Sequence, residues 1–405
     1  MPSSNPPTAV NSPARMHPSE LRASFSLAAV FALRLFGMFV VLPVLALWAD
    51  GRPGWTLTLV GIALGAYGLT QALLQVPFGW LSDRHGRKPV IHLGLVLLAA
   101  GSFLCAVAES PWAMILGRVM QGAGAISATV IALAADLTRD SQRTKSMAII
   151  GGSIAFAFGL SFVAAPFLLS SIGVPGIFAL TGALAIAAMA VVQFAVPDPP
   201  REERGVPVRL ATVLRDRELM RLNTGIFALH AVLMALFVVV PLALVRAGLP
   251  AAEHWYVYLG ALVAGMVLML PAIVGPMAAR ERPVFLAAVV AVGVGIATLL
   301  VRIDHLAGIV VALVIFFAGF NVLEAKLPAL VSRTAPREAR GAATGMYSSV
   351  QFLGTFFGGA AGGILAQHAG AGAVLGACLA VIAAWLAAAW NMSQLPPGAT
   401  PATRT

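Results

Sequence analysis

The sequence predicts an all-α membrane protein with twelve transmembrane helices in two pseudo-symmetric six-helix bundles. Three observations support this prediction: an apolar composition, twelve apolar runs of spanning length, and a repeat that relates the two halves. Of the 405 residues, 59% are hydrophobic and 10% are charged, whereas soluble domains carry about 25% charged residues. Because so few charges could not cover a folded surface in water, we expect lipid to surround most of the chain.

The apolar runs are separated by charged stretches or by Pro and Gly clusters. In lipid each run must be a helix, because unpaired backbone groups find no water there. The first six runs predict an N-terminal bundle at 24–196 and the last six a C-terminal bundle at 220–393, with a cytoplasmic linker at 197–219. A disordered cytoplasmic tail is expected at 1–23 and a second cytoplasmic tail at 394–405. The runs lie at roughly 24–48, 56–82, 89–108, 112–136, 145–169, 173–196, 220–246, 255–279, 284–301, 306–331, 341–368 and 372–393.

The Lys and Arg residues predict the orientation. Of the 26, only Arg52, Arg246 and Arg302 fall in loops on one side, whereas the tails and the other loops hold nearly all the rest. Since cytoplasmic loops carry an excess of Lys and Arg, both termini should be cytoplasmic. We further expect a monomer in the lipid bilayer of the inner membrane. The net charge of +10 does not indicate nucleic-acid binding, because the basic residues do not cluster on one soluble face.

The two halves repeat one another. The segment "FALRLFGMFVVLPV" at 31–44 matches "FALHAVLMALFVVVPL" at 227–242. Two bundles of the same orientation predict a duplicated architecture with a cavity at the interface of the halves.

Three of the 16 acidic residues fall at membrane depth or at its edge: Asp83, Asp136 and Glu324. A charge at the centre of a membrane costs at least ~2.5 kcal/mol, so Glu324, well inside the tenth run, needs a reason. His230 lies at a comparable depth in the seventh run, and we interpret the two as a proton site, since His titrates near neutral pH. The alternatives are a static pairing of Glu324 with Lys326 or a backbone group, and a His230 that only bridges helices.

Two arginines also lie within the runs. Arg34 occupies the position in the first half that His230 occupies in the second. Because Arg cannot release its proton, it is better suited to holding an anionic partner or to setting the electric field in the cavity. The structural alternative is pairing with backbone carbonyls. Arg118 lies in "GRVMQGAGAISATV", whose glycines allow close helix approach. Gln121 is a candidate partner, and proton coupling and a structural role both stay open for Arg118.

The stretch "GWLSDRHGRK" at 79–88 concentrates charge between two apolar runs. Anchoring by positive charge on the inside would explain Arg84, Arg87 and Lys88. It would explain neither the acid Asp83 nor Gly86, which suits a tight turn.

These motifs resemble the major facilitator superfamily across nearly the whole chain after the N-terminal tail. "GWLSDRHGRK" matches the signature loop Gly-x-x-x-Asp-Arg/Lys-x-Gly-Arg/Lys-Arg/Lys, starting at Gly79, and "RVMQGAGA" is similar to the helix-four pattern of proton-coupled members. Further segments, such as "YGLTQALLQVPFGWLSDRHGRKP" and "GLPAAEHWYVY", resemble one bacterial inner-membrane transporter of the family.

The resemblance implies roles for the signature residues. Asp83 is expected to meet the N-terminal end of helix eleven near Gly341, whose partial positive charge favours an anion. Arg87 is expected to pair with Asp136. Together these contacts would form a gate that keeps the cytoplasmic side closed.

The sequence departs from the family pattern in three places. Helix five has Ala165-Pro166 where antiporters often have Gly-Pro and paired glycines, which weakens the expectation of antiport. The second-half counterpart of the signature, "GPMAARERP", has no aspartate, so we expect a one-sided gate. The similar transporter has a small soluble domain after helix twelve, which we expect this chain to lack.

The leading prediction is a proton-coupled exporter of small amphipathic compounds or metabolites, working by antiport and alternating access. A facilitator or substrate–proton symporter of the same fold is the first alternative, and a non-transporting sensor is another. No enzyme activity, cofactor or metal is expected, since the ligand spacing of metal catalysis is missing. Candidate residues for the substrate cavity, which could equally face lipid or neighbouring helices, are Phe36, Met38, Gln71, Gln121, Met234, Phe320 and Asn321.

Overall fold

The computed structural model describes residues 15–198, 210–274, 277, 280–336 and 339–390, and regular structure within them is helical, without strands. Ten helices in this part of the chain are long and apolar enough to span a membrane. The helices are α1 (Pro18–Phe39), α2 (Leu45–Ala49), α3 (Leu57–His85), α4 (Arg87–Ala106), α5 (Pro111–Ala123), α6 (Ser127–Asp136), α7 (Asp140–Phe194), α8 (Leu210–Arg215), α9 (Arg217–Arg246), α10 (His254–Ile273), α11 (Glu281–Arg302), α12 (Leu306–Thr334) and α13 (Arg340–Trp390).

Two helices are long enough for two crossings each. α7 has 55 residues and α13 has 51, so a straight helix would reach about 80 Å, against a hydrocarbon core of about 30 Å. Each is interrupted by one glycine with left-handed φ, Gly173 at 65° and Gly370 at 79°, a conformation that is strained for other residues. We therefore treat α7 as two arms, 140–172 and 174–194, and α13 as two arms, 340–369 and 371–390.

Contacts with α1 confirm that α7 reverses. Arg139, just before α7, forms an ion pair with Glu20 in the first turn of α1. Arg22, half a turn further along α1, donates to the carbonyl of Phe194 at the other end of α7. Both ends of α7 therefore lie beside the start of α1, and the described helices make twelve crossings, as predicted.

Two crossings are interrupted. The first consists of α1 and α2, separated by turns at 40–44, and the fourth of α5 and α6, separated at 124–126. Close packing accompanies the second break: a Cβ added to Gly122 would collide with the carbonyl oxygen of Tyr67, and one added to Gly124 with that of Gly94. These glycines serve the close approach that the sequence predicted.

The first half, α1 to α7, meets the second half, α9 to α13, along a seam between α3 and the first arm of α13. A Cβ on Gly65 would lie 2.7 Å from the carbonyl oxygen of Phe356, and one on Gly359 would lie 2.6 Å from that of Gly61. The backbones therefore touch directly. An apolar core runs across this seam, while a separate core fills the rest of the first half.

The seam contacts are uneven along the molecule. We call the end where Arg87, Arg139 and Arg340 lie the basic end, and the other the opposite end. The seam glycines belong to the half of α3 nearer the opposite end. At the basic end, the Cβ positions of Gly79 and Gly345 have no heavy atom within 4 Å. Among the described residues, the close backbone contacts between the halves therefore lie towards the opposite end, and the halves are apart around these two glycines of the basic end.

Two predicted boundaries need correction. α1 begins at Pro18, inside the stretch predicted as a disordered tail, because Glu20 is buried there and accepts hydrogen bonds from Arg139. α8 and the start of α9 fall within the predicted linker at 197–219. Residues 199–209 of that linker, most of the first tail and the tail at 394–405 lie outside the described residues.

Candidate functional site

The signature stretch folds as a tight turn between α3 and α4. Gly86 has φ 94°, which agrees with the predicted turn glycine. Arg87, the first residue of α4, donates through Nε to Asp136 Oδ2 at 2.9 Å, as expected from the resemblance. The same guanidinium also forms an ion pair with Asp83 and donates to Ser82 Oγ at 2.8 Å. Arg87 therefore holds two carboxylates from two helices.

Asp83 does not reach α13 in this conformation. Its described ion pair is with Arg87, its side chain is 57% exposed, and the Cβ position of Gly341 has no neighbour within 4 Å. The expected contact between Asp83 and Gly341 is therefore absent, because the halves are apart at the basic end. Of the other signature cations, Lys88 pairs with Asp198 at 2.6 Å.

The remaining signature cation packs on an aromatic ring. The Arg84 guanidinium lies 5.8 Å from the ring centroid of Trp80, one turn earlier on α3. Both residues are exposed, so anchoring at the membrane surface accounts for Arg84.

Glu324 on α12 and His230 on α9 lie together. Oε1 of Glu324 is 3.6 Å from Nε2 of His230, and the amide of Gln351 on α13 lies 2.7 Å from the same nitrogen. The Glu324 side chain is 33% exposed, yet its Oε1 is buried without a hydrogen bond. The carboxyl group thus has one open side and one unsatisfied oxygen facing a titratable ring.

Lys326 pairs with an acid that lies between the predicted runs 255–279 and 284–301. Glu281, the first residue of α11, lies 3.2 Å from Lys326 Nζ and 3.1 Å from Arg333 Nη2. The alternative of a static pair between Glu324 and Lys326 does not appear among the described ion pairs, because Lys326 pairs with Glu281. The segments "RKPV" at 87–90 and "ERPV" at 281–284 both start a helix with an ion-paired residue, of opposite charge. The second segment has no aspartate, and the one-sided gate stays a prediction.

Arg118 is fully enclosed in the first half. It donates to the carbonyl oxygens of Ala63 and Leu64 and to Gln121 Oε1 at 2.8 Å, and its guanidinium lies 5.2 Å from the ring centroid of Tyr67. The predicted partner Gln121 is thus present.

Arg34 is held by side chains rather than by backbone carbonyls. It donates to Ser127 Oγ at 2.7 Å, Tyr67 Oη at 2.8 Å and Gln71 Oε1 at 2.5 Å. Gln71 in turn donates to Gln75 Oε1 at 2.8 Å. The structural alternative considered for Arg34, pairing with carbonyls, does not apply among its described hydrogen bonds.

The predicted cavity residues have different surroundings. Gln121 donates to Ser102 between packed helices, so in this conformation it does not line an open space. Gln71, Met234 and Phe320 are buried, and the Phe320 ring lies 6.0 Å from that of His230. The others are half-buried: Phe36, Met38 and Asn321.

Aromatic residues from both halves close the opposite end, a feature the sequence analysis missed. Phe162 on α7 stacks on Tyr258 of α10 with ring centroids 5.2 Å apart, and it also packs against Phe237 and Phe317. The spacing of these residues within apolar helices carries no signal that separates them from ordinary core residues. The described residues contain no group of three or more His, Cys, Asp or Glu side chains suited to a metal ion.

Two six-helix halves around a polar cluster, closed at one end and apart at the other, define a secondary transporter. The family model of the Major Facilitator Superfamily matches residues 27–323, and the chain belongs to this family. It is therefore a membrane transporter and not an enzyme.

The chain is similar to particular members. It is 42% identical over 390 residues to the inner membrane transport protein YajR of Escherichia coli, covering 94% of this chain and 86% of that protein. It is 28% identical to the multidrug resistance protein MdtH of Aeromonas salmonicida, covering 84% and 86%. Among solved structures, the nucleoside transporter NupG has a TM-score of 0.72 at 13% identity, covering 91% and 98%. The human organic anion transporter MFSD10 has a TM-score of 0.68 at 19% identity, covering 92% and 100%; both show the fold alone.

Proposed function

We propose that the protein is a proton-coupled secondary transporter of small amphipathic compounds or metabolites, and that Glu324 and His230 carry the coupling proton. The observation that carries the proposal is the 3.6 Å approach of Glu324 Oε1 to His230 Nε2 at membrane depth. Ionisable groups inside a membrane are costly and commonly serve as proton relays. A proton on Glu324 neutralises the buried carboxylate, and a proton on His230 places a charged imidazolium next to it.

In the proposed transport cycle, the basic end and the opposite end open in turn. The described conformation is open at the basic end, which we assign to the cytoplasm because it holds the excess of Lys and Arg. Closing it brings Asp83 towards Gly341 at the start of α13, while Arg84, Arg87, Lys88 and Asp136 keep the loop in position. Opening the opposite end requires the α3–α13 seam to part. The halves move as two rocking bodies.

We further propose that the protein is a monomer in the inner membrane with both termini in the cytoplasm. The two bundles at 24–196 and 220–393 are its moving bodies, and protons, a small molecule and lipid are its partners. The relative named a multidrug resistance protein supports export, and export against a gradient by proton antiport is the leading direction.

Substrate–proton symport is the second candidate, and Arg34 favours it. A buried cation without a carboxylate suits an anionic substrate, which would travel with a proton rather than against it. An uncoupled facilitator and a non-transporting sensor differ from both in having no proton-driven flux.

A transport assay separates these candidates. Compounds that raise the Tm of the purified protein are taken as substrates and measured by counterflow in proteoliposomes under an imposed pH gradient. Antiport predicts accumulation when the compartment receiving substrate is acidic, and symport when it is alkaline. Flux indifferent to the gradient would overturn proton coupling, and correctly inserted protein without flux would overturn transport altogether.

A further inference from the structure

Arg34 is a buried cation whose described partners are all neutral. The side chain is 1% exposed, and its hydrogen bonds go to a serine hydroxyl, a tyrosine hydroxyl and a glutamine carbonyl. Its Nε is buried and has no hydrogen-bond partner. Because a guanidinium cannot lose its proton, this group keeps an uncompensated charge and one free donor.

Arg118 shows what a structurally satisfied arginine looks like in the same half. Its three nitrogens all donate, two of them to backbone carbonyls that cannot rotate away. The partners of Arg34 are side chains, which can turn to admit another acceptor. The difference singles out Arg34 as the buried arginine with an unused N–H donor and with partners that can reorient.

The start of α6 converges on the same point. Ser127, which accepts from Arg34, is the first residue of this ten-residue helix, and α6 begins in mid-membrane after the break at 124–126. The preceding Ile126 provides no side-chain cap. The first N–H groups of a helix lack intrahelical partners, and its N-terminus carries partial positive charge. In broken transmembrane helices such ends point at anionic groups of substrates.

We propose that Arg34, Tyr67, Gln71 and the N-terminus of α6 bind the anionic group of the substrate, and that the substrate is an organic anion with an apolar body. Arg34 supplies the charge and its free Nε–H, Gln71 an amide that can reorient, and α6 its first N–H groups. The inference rests on the proposed transport function and adds the substrate class.

The position of this site at the seam gives it an entry route. The Tyr67 ring lies 6.3 Å from that of Phe352 on α13, so the seam covers the site and parting the seam exposes it towards the opposite end. A separate open cavity of about 840 Å³ lies at the opposite end, lined by residues of both halves that include Trp48, Asp50, Arg52 and Arg246.

The site is also linked to the proton site. Phe352 on α13 packs against Tyr67, and the residue before it, Gln351, lies within hydrogen-bond distance of His230. An anion near Arg34 and a proton near Glu324 have opposite charges, so each favours binding of the other. An anion at this site therefore selects symport, the second candidate direction, and the transport assay under a pH gradient decides between symport and antiport.

The test uses three probes that share one apolar body: 4-phenylbutyrate, its neutral amide and 4-phenylbutylamine. Each is titrated against the purified full-length protein at constant ionic strength, with Tm as the readout, and sulfonate and phosphate analogues extend the anion panel. The carboxylate should raise Tm more than the amide or the amine. Arg34→Lys should weaken its binding about tenfold, or about 1.4 kcal/mol, and Arg34→Gln should abolish it. Arg302→Gln, which changes an exposed arginine at the opposite end, should leave binding intact.

A second variant keeps the proposal testable if Arg34 variants do not fold. Gln71→Glu supplies a carboxylate beside Arg34 at nearly the same size. It should raise the Tm of the ligand-free protein and abolish the stabilisation by the anions. If no anion exceeds its neutral and cationic counterparts and Gln71→Glu lowers Tm, the site is purely structural and the inference fails.

The two proposals fail in different ways. Anion binding that depends on Arg34, together with flux of the same anion that is indifferent to the pH gradient, supports the site and overturns proton coupling. Gradient-driven flux of neutral or cationic compounds alone, with no effect of Arg34→Lys, supports coupling and overturns the anion site.

Discussion

Asp83 forms an ion pair with Arg87, one turn away in its own half, and not with the start of α13. Arg87 simultaneously holds Asp136 at 2.9 Å, so Asp83 has a partner even when the basic end is open. We propose that Asp83 exchanges partners when the basic end closes, leaving Arg87 for the N-terminus of α13. Such an exchange costs little in either state, which suits an element that must open and close in every cycle.

Asp83→Asn should leave folding intact and reduce transport severely. Asp83 is mostly exposed, and exposed ion pairs contribute about 0–1 kcal/mol, so the Tm should hardly change. A neutral amide binds the positive end of α13 more weakly than a carboxylate does, so the closed state loses stability. The measurement is counterflow alongside Tm, with Asp140→Asn as a matched exposed acid at the basic end. Full transport in Asp83→Asn would reduce the role of Asp83 to anchoring.

Exchanging the charges of Arg87 and Asp136 should recover part of the transport activity that a single charge reversal abolishes. Arg87→Asp brings a third acid next to Asp83 and Asp136 and should abolish transport. Adding Asp136→Arg restores an ion pair between α4 and α6, and should recover part of the flux, with a coupling energy of about 0.5–3 kcal/mol in a double-mutant cycle. Additive losses in the double variant would show that the pair does not act as a unit.

Glu281→Gln should destabilise the fold. It leaves Lys326 and Arg333 without a carboxylate, and Lys326 is buried. Removing one partner of a buried ion pair costs about 3–5 kcal/mol, so the midpoint of unfolding in detergent should drop clearly. Glu253→Gln, at an exposed acid near the opposite end, serves as the control. Equal midpoints for the two variants would mean that the Glu281 cluster is solvated.

Gly359→Val should prevent the opposite end from closing. A Cβ at this position would lie 2.6 Å from the carbonyl oxygen of Gly61, so α3 and α13 must separate. A cysteine introduced at Leu47, which lines the opposite-end cavity, should then react faster with a water-soluble maleimide. Gly345→Ala, which meets nothing within 4 Å, should not change the rate. The native Cys105 and Cys378 are buried and give little background.

The sequence predicts features that follow from local chemistry. The apolar runs require helices in lipid, Gly86 suits the turn before α4, and Arg118 finds Gln121 three residues along its own helix. Arg34 and Glu324 could be recognised because charge at membrane depth is costly wherever its partner lies.

Other features depend on tertiary contacts that no local pattern encodes. Glu281 seemed a loop acid because its cations are 45 and 52 residues away on α12. The side-chain partners of Arg34 and the aromatic closure around Phe162 likewise come from distant segments. The open basic end likewise depends on contacts between helices of both halves, which no local pattern encodes.

The central claim is that Glu324 carries the coupled proton. The most direct measurement is proton movement across proteoliposomes, followed by a pH-sensitive dye inside, when substrate is added to the wild type and to Glu324→Gln. The wild type should move protons with substrate, whereas Glu324→Gln should exchange substrate in counterflow without moving protons. Undiminished substrate-driven proton movement in Glu324→Gln would contradict the claim.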